Sequence, residues 1–284
     1  MKLVIERSAL LKSLGHVQSV VERRTTIPIL SNVRLDAAKG SLSLNATDMD
    51  LEIVESATAE VSQKGETTAP AHTLYDIVRK LPDGAQVELA FGGEGQLTLS
   101  SGRSRFQLAC LPVDDFPALA SGDFSHTFSL SATDLRSLID RTRFAISTEE
   151  TRYYLNGIYL HGTDSDGVEV LRTVATDGHR LARVELPLPD GAAGMPGIIV
   201  PRKAVAEVRK LIEEAEGDVT VSVSDAKIRF SIGDTILTSK LIDGTFPDYE
   251  RVIPTGNDKV LETDCKMLSK AVDRVSAISS EKSR

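Results

Sequence analysis

Leu42-Ser43-Leu44-Asn45-Ala46-Thr47-Asp48-Met49-Asp50-Leu51 and Leu171-Arg172-Thr173-Val174-Ala175-Thr176-Asp177-Gly178-His179-Arg180-Leu181 are two versions of one stretch, with the shared Ala-Thr-Asp at an offset of 129. Working outward, further pairs keep the same order. Val78-Arg79-Lys80 returns as Val208-Arg209-Lys210, and Phe116-Pro117 returns as Phe246-Pro247, both at an offset of 130. Ser8 to Leu14 matches Ala132 to Leu138, and Asn32 matches Asn156, both at 124. Matches in one order at nearly one spacing are the signature of a repeated unit. A third unit begins after Ile253, where 261–277 resembles 130–145 and Asp140-Arg141 returns as Asp273-Arg274 at an offset of 133. The expected domains are therefore 1–122, 123–253 and 254–284, the last incomplete, with boundaries in the polar, turn-rich stretches SGDFSH and PTGNDK.

Each unit reads as strand, helix, strands, helix, strands. Lys2 to Glu6 alternates as a strand, and residues 8–22 place Leu10, Leu11, Leu14, Val17, Val20 and Val21 at helical spacing with Ser8 as the N-cap. Residues 41–48 and 50–61 alternate with period two, and 72–81 form a short helix ended by Pro82-Asp83-Gly84. The next three strands, 86–91, 96–101 and 105–111, are joined by Gly-rich turns, which favours antiparallel pairing. The expected class is α+β, with two helices packed on antiparallel sheets in each unit.

The composition is that of an ordinary globular protein, 41% hydrophobic and 26% charged. No apolar run reaches the length of a membrane span, and the N-terminus has no signal-peptide stretch. Two cysteines, Cys110 and Cys265, form no ligand spacing and suggest a reducing compartment, so a cytoplasmic location is expected. The net charge of −8 alone argues against a nucleic-acid partner, but its distribution does not. The helical stretches 6–24, 72–81, 131–143, 201–212 and 264–284 together carry +9, which leaves −17 on the remainder. Five such helices on one side of a row of repeats would make a basic lining that attracts a duplex, opposed to an acidic exterior. The competing reading is that helices carry Lys and Arg simply because both are good helix formers.

Little in the sequence suggests catalysis. Asp177 and His179 could form an acid–base pair, but no nucleophile stands beside them and the first repeat has no histidine there. A turn in which Asp177 takes backbone N–H groups and Gly178 supplies a positive φ fits better. Gly92-Gly93-Glu94-Gly95 lacks the Lys-Ser/Thr of a phosphate loop and reads as a hairpin turn. The five histidines show no metal spacing, and no metal or cofactor is expected. Tyr153 and Tyr154 read either as DNA contacts through their hydroxyls or as half-buried strand residues. Ser100 to Phe106 is a basic turn leading into an apolar strand that could pair with another chain.

Several of these motifs together resemble the bacterial replicative sliding clamp, the beta subunit of DNA polymerase III. The resemblance is carried by Arg24 to Leu30 (RTTIPIL), Ser101 to Phe106, Arg152 to Gly157 (RYYLNG), Ala175 to Ala182, Val200 to Lys203 and Ser239 to Tyr249 (SKLIDGTFPDY), and runs from Met1 to Arg284. It implies a non-catalytic ring, a head-to-tail homodimer of three-domain subunits, that encircles double-stranded DNA and gives the polymerase processivity in DNA replication. The implied partners are the polymerase catalytic subunit, clamp-loader subunits and other polymerases and repair proteins carrying a clamp-binding motif. Their peptides would dock near the second and third domains on Leu155, Thr176, Gly178, His179, Arg180, Leu181, Pro247, Arg251 and Val252, and on the family's C-terminal tail, beyond Arg284. The implied DNA contacts are Arg24, His72, Glu149, Tyr153 and Tyr154; His72 replaces a stronger base, and Glu149 replaces a neutral amide and should repel phosphate. The implied ring interface sets Phe106 and Leu108 against the helix around Ile278 of a second subunit. Two rival functions stay open: a peptide-binding scaffold with the clamp fold that closes no ring, and a hydrolase centred on His179.

Overall fold

The structure is a computed structural model describing residues 1–117, 119, 122–213, 215 and 217–279. Residues 280–284, part of the last basic stretch in the charge count, and Glu214 lie outside the described residues. The chain divides into two compact units, Met1–Phe246 and Pro247–Arg284. The first contains both complete repeats. Repeat one runs β1 (Lys2–Glu6), α1 (Arg7–Val17), β2 (Asn32–Ala38), β3 (Ser41–Thr47), β4 (Leu51–Thr58), β5 (Glu60–Gln63), β6 (Gly65–Pro70), α2 (Ala71–Lys80), β7 (Gln86–Phe91), β8 (Gln96–Ser101) and β9 (Ser104–Ala109). Repeat two runs β10 (His126–Ser131), α3 (Ala132–Asp140), β11 (Gly157–Ser165), β12 (Val168–Thr176), β13 (Leu181–Pro187), β14 (Ile198–Pro201), α4 (Arg202–Leu211), β15 (Asp218–Val223), β16 (Lys227–Ile232) and β17 (Thr235–Lys240). Apart from β5, each repeat is two copies of a strand-helix-three-strand half.

The halves exchange their first strands. β1 pairs with β7 rather than with its own meander, and β6 pairs with β2; in repeat two, β10 pairs with β15 and β14 with β11. Two sheets thus converge on each helix pair. The decisive contact lies between repeats: β17 pairs antiparallel with β4, from Thr235↔Glu55 to Ser239↔Leu51. It fuses half of each repeat into one eight-stranded sheet, β10-β15-β16-β17-β4-β3-β2-β6. Residues directly opposite in an antiparallel pair share a face. Following the register from Glu55 through Thr235, Ile232 and Phe230 to Val221 and Phe128 keeps all of them on one face. Glu55 meets α1 through Ser13 and His16 on that face. Phe128, Val221 and Phe230 line an apolar cavity of about 30 Å³ with Leu135 and Leu138 of α3 and Val205 and Val208 of α4. Helices of both repeats therefore stand on the same side of the fused sheet, with α2 packed beside α1.

Local structure departs from the sequence expectation at both ends of α1, within the strand over 50–61 and at Tyr153 and Tyr154. Helix α1 ends at Val17; Val20 and Val21 stay buried but sit in tightened turns, with Val20 N–H donating to Val17 and Val21 N–H to Gln18. Its N-cap is Glu6, not Ser8: the Glu6 carboxylate accepts from the Ser8 and Ala9 N–H groups at 3.0 and 3.1 Å, and also from the Ser8 hydroxyl. Those donors, the Ser8 hydroxyl foremost, hold the Glu6 carboxyl below its ordinary range. The strand expected over 50–61 breaks at Ala59, whose N–H turns to the Gly40 carbonyl. Tyr153 and Tyr154 lie in a 3₁₀ segment, Glu150–Leu155, not in a strand.

The second unit holds a 3₁₀ turn, Tyr249–Val252, and α5 (Cys265–Ser276), capped by Asp264 accepting from Met267 N–H at 2.8 Å. Met267, Leu268, Val272, Val275 and Ile278 are exposed. No described helix is long and apolar enough to cross a membrane.

Candidate functional site

The two Ala-Thr-Asp turns are held by the same bonds. In repeat two, the Thr176 hydroxyl donates to the Arg180 carbonyl at 2.8 Å and accepts from Gly178 N–H at 3.1 Å, while Asp177 Oδ1 accepts from the His179 and Arg180 N–H groups at 2.9 and 3.0 Å. In repeat one, the Thr47 hydroxyl donates to the Leu51 carbonyl and accepts from Met49 N–H, and Asp48 Oδ1 accepts from Asp50 and Leu51 N–H. Gly178 has φ +88° and its counterpart Met49 has φ +78°, the left-handed region each turn requires. Burial alone would raise the Asp177 carboxyl. The Arg180 and His179 amides and the Arg180 guanidinium outweigh it and hold it below the ordinary range. Asp177 is thus spent as a turn anchor, and His179 is exposed and pairs with no carboxylate among the described residues.

The turns differ in what surrounds them. In repeat one, Lys203 donates to Asp48, and to Glu22 at 3.5 Å and the Val20 carbonyl at 3.3 Å; Lys240 donates to Asp50 at 2.9 Å. Burial would lower the Lys203 ammonium, but Asp48 and Glu22 prevail and raise it. This turn is therefore consumed in locking the joint between repeats. In repeat two the turn is open: Gly178, His179 and Arg180 are exposed, Thr176 and Leu181 half-buried, and Leu155 buried. Arg180 donates to Asp177 Oδ2 at 2.9 Å and its guanidinium lies 5.7 Å from the centre of the exposed Phe144 ring. Pro247, Arg251 and Val252 belong to the second unit, where Val252 is exposed and Arg251 pairs with Asp248 at 2.7 Å. Phe144 was not singled out from sequence; it has no motif, only an aromatic left in solvent.

Arg24 is exposed in the segment after α1 and pairs with no carboxylate among the described residues. His72 does not reach outward as a free base: its Nε2 lies 3.0 Å from the Val21 carbonyl and ties α2 to the segment that carries Arg24. Tyr153 is 54% exposed and meets Tyr154 edge-on at 5.7 Å, with Gly244 against both. Glu149 is not a bare carboxylate, because Arg152 lies 3.2 Å from it. Several helix cations are likewise neutralised locally: Arg7 by Asp83, Arg209 by Asp140, and Lys210 by Glu207. Arg24, Lys80, Arg141 and Arg202 are exposed without such a partner among the described residues. At the ring-interface positions, Phe106 is 37% exposed on the edge strand β9, while Leu108 is only 6% exposed and faces the chain's own core. No group of side chains suited to a metal occurs among the described residues.

Replacing Gly178 by Ala is expected to distort this turn selectively. A Cβ there would lie 2.7 Å from Arg152 Nη1, at a φ that L side chains rarely adopt. The loss should be about 1–2 kcal/mol in denaturant unfolding.

Two tandem α+β repeats fused through one continuous sheet define a clamp-type architecture. The DNA polymerase III beta subunit N-terminal domain matches residues 1–120, and the central domain of the same subunit matches 129–248. Over 285 aligned positions the chain is 58% identical to the beta sliding clamp of Caulobacter vibrioides, covering 100% of this chain and 77% of that protein. It is 42% identical to that of Escherichia coli, covering 100% and 76%. The crystal structure of the C. crescentus beta sliding clamp superposes with a TM-score of 0.97 at 58% identity, over 100% of this chain and 76% of that one. A clamp from Bartonella birtlesii, bound to griselimycin, gives 0.96 at 56% identity with the same coverage. The chain belongs to the DNA polymerase III beta subunit family, the beta sliding clamps. It is a DNA sliding clamp, a non-catalytic processivity factor in DNA replication.

Proposed function

We propose that the complete protein closes a head-to-tail homodimeric ring around duplex DNA and that the open turn of repeat two docks partner peptides. One observation carries the ring: the joint between the repeats is a pairing of final strands. β17 ends the second half of repeat two and β4 ends the first half of repeat one. The two remaining final strands, β9 and β13, are sheet edges. The same rule gives β13 the last strand of a third repeat, and gives β9 a third-repeat strand of a second subunit, with Phe106 at that contact and Leu108 supporting it from within the core. An uncovered edge is otherwise a liability for aggregation. Ile278 belongs to the third repeat's share of this interface.

In this ring the helix side of the fused sheet faces the duplex. Arg24 supplies charge to phosphate, Tyr153 and Tyr154 supply hydroxyls, and His72 and Glu149 act through the segments they hold. Such contacts grip the backbone without reading bases, which suits sliding. The polymerase catalytic subunit, clamp-loader subunits and other motif-bearing proteins share the docking turn, with Leu155 and Leu181 as apolar contacts, Thr176 and Gly178 shaping it, and His179 and Arg180 as polar ones. The site of action is the cytoplasm, where the chromosome is replicated. The Bartonella birtlesii clamp binds griselimycin; with the docking turn as its seat on this chain, His179→Ala should weaken its binding.

The ring is tested by Phe106→Arg in the complete protein. A charge on the exposed face of β9 should convert the dimer to a monomer in sedimentation velocity, while a variant that stays dimeric at the same concentration rules out β9 as the closing edge.

A further inference from the structure

The 3₁₀ segment that carries Tyr153 and Tyr154 also reaches the docking turn, through one side chain. Arg152 sits at a kink in Glu150–Leu155, with φ −112° and ψ 50°. Its Nε lies 3.2 Å from Glu149 Oε2, while its Nη1 lies 2.7 Å from where a Cβ on Gly178 would stand. The guanidinium therefore lies directly over the bare Cα of Gly178, anchored from behind by a carboxylate in the DNA-facing loop. Asp177 is already engaged by the His179 and Arg180 amides and by the Arg180 guanidinium.

We infer that Glu149 and Arg152 form a latch that holds a guanidinium against the Gly178 side of the otherwise open docking turn in the free protein and that DNA phosphate draws it away. This rests on the reading of the turn as the docking site and of 149–154 as DNA-facing. A ligand that packs on the Cβ side of Gly178 displaces the guanidinium. A phosphate at the loop repels Glu149 and attracts Arg152, drawing the same side chain off the turn. Both ligands thus favour the same displaced state, and each strengthens the other by one common factor. Arg152 is a positioning residue in this account, and Glu149, a carboxylate that would otherwise only weaken DNA binding, is what holds it in place. The pair is half exposed, at 45% and 51%, so the latch is shallow. Its effect should be about two- to five-fold in affinity, the range of a solvent-accessible ion pair.

The test is griselimycin affinity in the complete protein, by calorimetry, with and without a saturating 30-base-pair duplex. For the unmodified protein, duplex should tighten griselimycin about two- to five-fold. Glu149→Gln, isosteric and unable to hold the guanidinium by charge, should bind griselimycin tighter than the unmodified protein without duplex and gain little more when duplex is added. Raised salt should tighten binding to the unmodified protein, by screening the pair, and leave Glu149→Gln nearly unchanged. Equal affinity of the two proteins, or an undiminished duplex effect in Glu149→Gln, overturns the latch. If griselimycin binds but His179→Ala leaves its affinity unaltered, the docking-turn reading has failed, and the latch falls with it for that separate reason.

Discussion

Gly157→Ala is expected to lower the melting temperature of the protein by about 6–12 °C, corresponding to a loss on the order of 3 kcal/mol. A Cβ at this position would lie 2.2 Å from the Val200 carbonyl oxygen and 2.9 Å from its carbon, and both are backbone atoms that no rotamer change can move. Gly157 opens β11 opposite Pro201, which precedes α4, and the Arg202 N–H donates to the neighbouring Asn156 carbonyl at 2.9 Å. Forcing β14 away from β11 would therefore disturb the start of α4 and the exit of the segment that carries Tyr153, Tyr154 and Leu155. Scanning calorimetry measures the effect, and a variant that melts within 2 °C of the parent, roughly half a kcal/mol at this size, contradicts the packing described.

Glu55→Gln should cost about 2–3 kcal/mol at pH 7, the range for hydrogen bonds made to a buried charged group. Glu55 is 5% exposed in β4, at the joint with β17, and accepts from the Ser13 hydroxyl at 2.9 Å with His16 Nδ1 at 2.7 Å. Burial alone would raise its carboxyl, but the bonds from His16, Ser13 and Thr235 prevail and hold it below the usual carboxylate range. A carboxyl whose folded pKa lies below its unfolded one contributes stability that is fully present above the unfolded value and is lost as pH falls through the folded one. The parent should therefore lose stability in acid more steeply than Glu55→Gln, and their urea midpoints should converge below about pH 4. Parallel midpoints from pH 7 to pH 3 would show that the carboxylate is not held in this way.

The repeat was legible because its markers are short and local. An Ala-Thr-Asp turn closes with its own side chains, so it keeps the same bonds in both repeats even though Met49 replaces Gly178. The helices were legible by spacing, but their ends were not: Glu6 caps α1 from a position that reads as strand, and turns tightened by i to i+3 bonds carry Val20 and Val21 past its end. The joint was out of reach, because the pairing of Glu55 with Thr235 links segments of no shared pattern across most of the chain. The charge contrast between helices and the rest was countable. How much of it remains at the surface was not, since Lys203 and Arg209 are claimed by Asp48 and Asp140, carboxylates distant in sequence. Glu149 reads as a simple departure from a neutral amide, and only the fold places it 3.2 Å from Arg152, whose guanidinium lies beside Gly178.

Retention on DNA of different topology tests encirclement most directly. The complete protein, loaded on a nicked circular plasmid, should co-elute with the plasmid through gel filtration in salt high enough to abolish simple phosphate binding. Cutting the circle once should release it, because a ring that grips no bases slides off a free end. Release at the same rate from circular and linear DNA would contradict the account.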